Sequence, residues 1–152
     1  MDRLLSVVVS VYNEEKALED FYKETTGILK DVDWAYELIF VNDGSSDQSR
    51  AVKVVSFSRN FGHEAAMIAG LDYSSGDGII CMDADLQHPP ECIPVILNRL
   101  TQGYEVINMV RTRNKTAGFI KNITSSGFYW LINHISDVHF ESNALDFFAI
   151  SR

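Results

Sequence analysis

Gly78-Ile79-Ile80-Cys81-Met82-Asp83-Ala84-Asp85-Leu86-Gln87-His88 is an apolar run that ends abruptly in carboxylates and polar side chains. Such a short, near-continuous apolar run is the signature of a strand covered on both faces. Four further runs share its character: Leu4 to Val11, Glu37 to Val41, Lys53 to Phe57 and Glu105 to Val110. Between them lie stretches with apolar residues at helical spacing. Glu14 to Leu29 carries Leu18, Phe21, Tyr22, Thr25 and Leu29, and Glu64 to Tyr73 and Pro90 to Leu100 are shorter. Strand and helix in alternation predict an α/β chain with a mainly parallel central sheet flanked by helices.

In such a sheet ligands gather beyond the carboxyl ends of the strands. Those ends are polar here: Tyr12-Asn13-Glu14-Glu15, Asn42-Asp43-Gly44-Ser45-Ser46-Asp47, Ser58-Arg59-Asn60-Phe61-Gly62-His63 and Asp83 to His88. One connection fits poorly. A parallel crossover needs about a dozen residues and usually a helix, and the stretch after Asp43 offers little of either, which suggests a missing segment near residues 50–51. The polar stretch Arg113 to Lys121 reads as a loop, Phe128 to Ile135 as a helix, and Asp146 to Ile150 as a final edge strand.

The 152 residues suit one domain, 1–152, and 46% hydrophobic content supplies a core. A formal charge of -8 argues against a nonspecific nucleic-acid surface, which needs a basic patch. Cys81 and Cys92 lack zinc spacing and read as reduced packing residues. The amino-terminal apolar run is too short to cross a bilayer and lacks a cleavage pattern, as expected of a buried strand in a cytoplasmic protein.

The carboxylates of Asp83 and Asp85, at i and i+2, point the same way if the segment stays extended, and hard oxygens suit Mg²⁺ or Mn²⁺. Gln87 can add a carbonyl oxygen. For an isolated pair the commoner use is local: Asp85 capping a helix and Asp83 closing a turn. The other acidic strand ends tip the balance toward a metal that bridges substrate phosphates. Asp43, before Gly44-Ser45-Ser46, can accept hydrogen bonds from a base or ribose, or serve an Asx turn. Tyr12 offers a ring for stacking, with Asn13 and Glu14 beside it. Negative charge at a helix start is an equally physical use for Glu14 and Glu15. His63 and His88 receive no role, because hard oxygen ligation does not require them.

The segments VVVSVYNEE, FVNDGSSDQS, SRNFGHEAAMIAGLDYSSGD and MDADLQHPPE, in that order over nearly the whole chain, resemble family 2 glycosyltransferases. The resemblance is strongest to the branch that moves a sugar to a polyisoprenyl phosphate. It implies a glycosyltransferase-A fold and an inverting transfer from a UDP- or GDP-linked sugar. Val11, Tyr12, Asn13, Glu14 and Asp43 match nucleotide-holding positions, Asp83 the carboxylate near ribose and metal, and Asp85 with Gln87 the metal ligands. Arg111 matches a phosphate-contacting arginine, and Asp146 a late acidic residue that acts as base in hydroxyl-using relatives. A lipid phosphate is already ionised and needs no base, which reduces Asp146 to an orienting role. Arg111 and Lys121, with Arg113 and Lys115, form the densest cationic stretch, suited to an anionic lipid head group. Members of this branch often continue past the equivalent of Arg152 into amphipathic or transmembrane helices, so the sequence is expected to lack a carboxyl-terminal membrane region, a place at the cytoplasmic membrane face is expected for the full-length protein, and a homo-oligomer is compatible with the sequence. The alternatives are transfer to a sugar hydroxyl and a truncated domain that binds nucleotide sugar without turnover.

Overall fold

A computed structural model describes residues 3–51, 55–110 and 144–152. Its contacts divide the chain into two units, residues 1–108 with 146–152, and residues 109–145. The first carries nearly all of a six-stranded sheet in the order β3-β2-β1-β4-β6-β5. The strands are β1 (Leu4–Val11), β2 (Ala35–Asn42), β3 (Val55–Ser56), β4 (Gly78–Asp83), β5 (Val106–Val110) and β6 (Ala144–Ser151). The helices are α1 (Glu15–Leu29), α2 (His63–Tyr73) and α3 (Ile93–Thr101), the last entered through a 3-10 turn at Pro90–Cys92.

β1 is central because nearly every side chain in it is apolar: Leu5, Val7, Val8, Val9 and Val11 are fully buried. It pairs in parallel with β2 on one side and β4 on the other. Val8, Ile39, Val41, Ile79 and Cys81 share one face, on which Ala66 and Met67 of α2 sit. Small residues on α2 permit that approach. A Cβ at Gly70 would lie 2.1 Å from Val8 Cγ1. On the other face Phe21 of α1 meets Phe40 edge-on, with ring centroids 6.4 Å apart. Thus helices cover both sides of the sheet, as the alternating pattern predicts. At the end of the sheet remote from the carboxylates, Glu37 accepts hydrogen bonds from Ser6 Oγ at 2.6 Å and from the Ser75 N–H at 2.8 Å.

Two expectations change. β6 is not an edge strand: it lies between β4 and β5, antiparallel to β4, with Cys81 opposite Phe148. The edges of the sheet are β3 and β5. A short strand that opens on an exposed aspartate has the pattern of an edge. Only the tertiary fold buries Phe147 and Ala149 in the sheet interior. Second, the apolar run at Lys53 to Phe57 contributes only Val55–Ser56 as described strand, after a crossover whose described structure is a 3-10 turn at Gln48–Ala51. The predicted loop at Arg113 to Lys121 and helix at Phe128 to Ile135 lie outside the described residues. Among the described residues no helix is long and apolar enough to cross a membrane.

Candidate active site

The site follows from strand register. Ser10 stands opposite Asp83 in the β1–β4 pairing. Continuing the β4–β6 register by two residues sets Asp146 beside Asp83. Side chains alternate along a strand, so Ser10 shares the face of Val8, Asp83 that of Cys81, and Asp146 that of Phe148. That is the face covered by α2. The first residue of α2, His63, therefore meets all three. Ser10 Oγ donates to Asp83 Oδ1 at 2.5 Å and lies 3.0 Å from His63 Nδ1. His63 Nδ1 is 3.3 Å from Asp83 Oδ1, and Nε2 is 4.0 Å from Asp146 Oδ2.

Asp43, 3% exposed, turns its carboxylate to the entry of α2. Oδ1 accepts the Phe61 N–H at 2.7 Å and Oδ2 the Gly62 N–H at 3.0 Å. This is neither an Asx turn nor a carboxylate held wholly open for a base; it clamps a distant loop. Gly44 makes the clamp sterically possible. At φ +69° it sits where a Cβ would fall 2.3 Å from the Arg59 carbonyl carbon. Asp43 also lines a cleft of about 200 Å³ with Ser10, Val11, Tyr12, Asn60, His63 and Ala66. Tyr12 is half exposed at this cleft, whereas Val11 is fully buried and its carbonyl accepts the Asp43 N–H.

Asn13 adopts φ 57°, and its Oδ1 accepts the Ser46 N–H at 2.8 Å. Glu14 donates its backbone N–H to Ser49 Oγ at 2.9 Å, and Glu15 accepts the Gln48 N–H, also at 2.9 Å. The start of α1 is thus stitched to the loop after β2. Burial, and then the charges of Asp85, Asp83 and Asp47, push the Glu14 carboxyl above its ordinary range. That shift places Glu14 in the electrostatic field of the Asp-Ala-Asp pair.

Asp85 Oδ1 accepts the Gln87 N–H at 2.9 Å, so the local turn is real, and Leu86 at φ 60° completes it. His88 is buried. Its Nδ1 accepts the Asp83 N–H at 3.2 Å, and its ring stacks on Phe147 with centroids 5.2 Å apart. Among the described residues no three His, Cys, Asp or Glu side chains converge into a ready metal cage. The donors nevertheless fit Mg²⁺ or Mn²⁺, which such sites often hold through one or two carboxylates plus substrate phosphates. The negative charge that Asp85 and Asp83 exert on Glu14 is what a divalent cation relieves.

Arg111 and Lys121 lie outside the described residues, as do Arg113 and Lys115. Ser10, His63 and His88 are the contributors the sequence did not assign. The available signal was Ser10, the second polar residue in an apolar strand and the one nearest its carboxyl end, and the two histidines flanking acidic strand ends.

The model of the family described as glycosyl transferase family 2 matches residues 6–149. The chain is 40% identical to the uncharacterized glycosyltransferase YkcC of Bacillus subtilis, over 97% of this chain and 49% of that protein. It is 38% identical to the prophage bactoprenol glucosyl transferase homolog of Escherichia coli, over 97% of this chain and 52% of that one. The chain therefore spans about half the length of the curated relatives it matches. The alignment to YkcC runs over 158 positions, more than the 152 residues present, so that relative carries residues with no counterpart here. In three dimensions the fold matches glucosyl-3-phosphoglycerate synthase of Mycobacterium tuberculosis in complex with UDP. The TM-score is 0.67 at 22% identity, over 98% of this chain and 57% of that one. The same enzyme with Mn²⁺, UDP-glucose and phosphoglyceric acid gives 0.65 at 23% identity, over 98% and 57%. With the glycosyltransferase-A fold in place and the family model matched along nearly the whole chain, this protein belongs to glycosyl transferase family 2.

Proposed function

We propose that this chain holds the donor site of an inverting transferase that moves a hexose from a UDP-linked sugar to a polyprenyl phosphate. The observation that carries the reading is the acidic rim. Asp83 is hydrogen-bonded to Ser10, which lines the cleft with Tyr12 and Asp43, and the charges of Asp85 and Asp83 reach Glu14. Likeness to bactoprenol glucosyl transferases supports the lipid acceptor, and the UDP-bound structural neighbours favour uracil over guanine.

Tyr12 presents a ring on which the base stacks, and Asp43 shapes the cleft floor by holding the 61–62 turn. Asp83 and Asp85, with the Gln87 carbonyl, would hold Mg²⁺ or Mn²⁺, which when bound neutralises charge on the departing diphosphate. An acceptor phosphate oxygen forms the new bond to the anomeric carbon from the face opposite UDP, and UDP leaves with the bonding electron pair, inverting the configuration. The acceptor is already an anion, so no base is needed and Asp146 orients. Arg111 and Lys121 would meet the acceptor phosphate.

Calorimetric titration of UDP, GDP and their sugar conjugates, with and without Mn²⁺, tests the donor site. UDP is expected to bind in a metal-dependent manner, and that dependence should be lost in Asp85→Ala. Preference for GDP would overturn the uracil assignment, and no nucleotide binding would overturn the site. Binding without transfer to polyprenyl phosphate would make the chain a nucleotide-sugar-binding domain. The position of Asp146 against His63 favours one second reading, a sugar hydroxyl acceptor with Asp146 as base. Asp146→Asn should then abolish transfer to a hydroxyl, yet leave transfer to a lipid phosphate nearly intact.

A further inference from the structure

The cleft beside the half-exposed Tyr12 is lined by four further polar side chains, Ser10, Asp43, Asn60 and His63. The fold already uses three of them. Ser10 Oγ donates to Asp83 Oδ1 at 2.5 Å and lies 3.0 Å from His63 Nδ1. Asp43 accepts the Phe61 and Gly62 N–H groups. Asn60 is exposed, and among the described residues its side chain makes no hydrogen bond. Its neighbours are occupied with one another: the Arg59 guanidinium sits 4.5 Å from the centroid of the Phe61 ring, which meets Phe57 edge-on at 5.4 Å.

The backbone that carries Asn60 is nevertheless fixed from two directions. Asp43 holds the two residues that follow it. Gly44, at φ +69°, leaves the room that the 59–60 peptide occupies; a Cβ there would fall 2.5 Å from the Asn60 nitrogen. A pinned loop thus presents one uncommitted carboxamide to a cleft that also holds an aromatic ring. A carboxamide carries an acceptor and a donor side by side. The edge of uracil carries the complement, an N3–H between two carbonyls. An unused donor–acceptor pair beside a ring on which a base stacks is the arrangement that reads a base edge through two hydrogen bonds.

We propose that Asn60 selects the base of the donor, with Oδ1 accepting the uracil N3–H and Nδ2 donating to the adjacent carbonyl while the base stacks on Tyr12. The inference rests on the donor site proposed above and names the residue that decides which base it takes. Asp43 then supports the reader rather than touching the base, because its two oxygens hold the turn next to Asn60.

Calorimetric titration of UDP, 3-methyl-UDP and GDP with Mn²⁺, on the native chain, Asn60→Ala and Asn60→Asp, tests the assignment. Methylation removes the N3 proton, so the native chain should bind 3-methyl-UDP roughly 5–150-fold more weakly than UDP, the discrimination of one bidentate pair. In Asn60→Ala the affinity for UDP should fall by a similar factor. The methyl group should then cost almost nothing more, because both changes remove the same contact. In Asn60→Asp the side chain only accepts. It loses the bond to the uracil carbonyl and gains a match to the N1–H and N2–H of guanine, so the ratio of GDP to UDP affinity should rise at least about tenfold. A methyl penalty that persists in Asn60→Ala, or equal weakening of UDP and GDP in Asn60→Asp, marks a structural asparagine and overturns the proposal. A native chain that binds UDP and 3-methyl-UDP alike overturns it too and leaves the donor site standing, whereas a native chain that binds no nucleotide overturns both.

Discussion

Replacing Asp43 by Asn discriminates between a carboxylate that serves the ligand and one that serves the fold. In the native chain its two oxygens accept two backbone N–H groups, at 2.7 and 3.0 Å, from a site 3% exposed. An Asn amide keeps one acceptor and turns an NH₂ toward the other N–H, which leaves two donors facing each other. A hydrogen bond to a charged acceptor contributes about 1.5–3 kcal/mol, and a stranded buried donor costs about 1–3 kcal/mol. Because these terms overlap, the expected loss is about 2–4 kcal/mol. With a urea m-value of about 2 kcal/mol per molar, the unfolding midpoint should fall by about 1–2 M with m unchanged. Negative charge near the start of α2 adds to the effect in the same direction. Circular dichroism through a urea titration measures the midpoint, and UDP calorimetry on the folded variant measures the site. An unchanged midpoint accompanied by lost UDP affinity would refute the clamp and return Asp43 to a direct ligand role.

Glu14→Gln tests the acidic rim. The native carboxyl is raised by burial and by Asp85, Asp83 and Asp47, so the folded state binds its proton more tightly than the unfolded chain. Stability from this group is therefore lost as pH rises above the ordinary value of 4.5. Gln should raise the thermal midpoint of the ligand-free protein near neutral pH, and the gain should vanish when scans are run well below 4.5. Gly70→Ala forces a Cβ to within 2.1 Å of Val8 Cγ1 and 3.2 Å of Val41 Cγ2. Overpacking of about 1–3 kcal/mol should outweigh the helix-propensity gain of about 1 kcal/mol, and a midpoint equal to or above the native one in urea would contradict the packing. Burial pushes the Cys81 thiol up to about 12. Iodoacetamide followed by peptide mass spectrometry should label Cys92 before Cys81 in the folded protein, and Cys81 only on unfolding, since the thiolate is the reactive form.

Local pattern is a reliable guide wherever the physics is local. The run Leu4 to Val11 reads as a strand covered on both faces and is one, because continuous apolar character leaves no face for water. Helix α1 is visible in the spacing of Phe21, Thr25 and Leu29, all buried. The strand end at Asp83 is likewise local, but a common direction for the Asp83 and Asp85 carboxylates needs an extended segment, and β4 ends at Asp83 while Asp85 enters the following turn. Asp146 marks the boundary. Its segment is recognisable as a strand, but whether a strand lies at an edge depends on what pairs with its two sides. That information belongs to β4 and β5, not to residues 144–151. The same reason hides the partners of Asp43. They are eighteen and nineteen residues away, and nothing in Asn42-Asp43-Gly44 distinguishes a carboxylate that binds a distant turn from one awaiting a ligand.

From its residues alone the protein declares an α/β sheet with polar, acidic strand ends, and four ordered segments declare its family. Hydrophobic period and residue chemistry are properties of short stretches, so they survive without a fold. Only the tertiary structure sets Ser10, Asp83 and Asp146 side by side on the face that α2 covers, and brings His63 over them. Strand register and helix placement are decided by contacts between residues far apart in the chain. The pairing of one histidine with two aspartates therefore exists in no segment of the sequence until the sheet has closed around it.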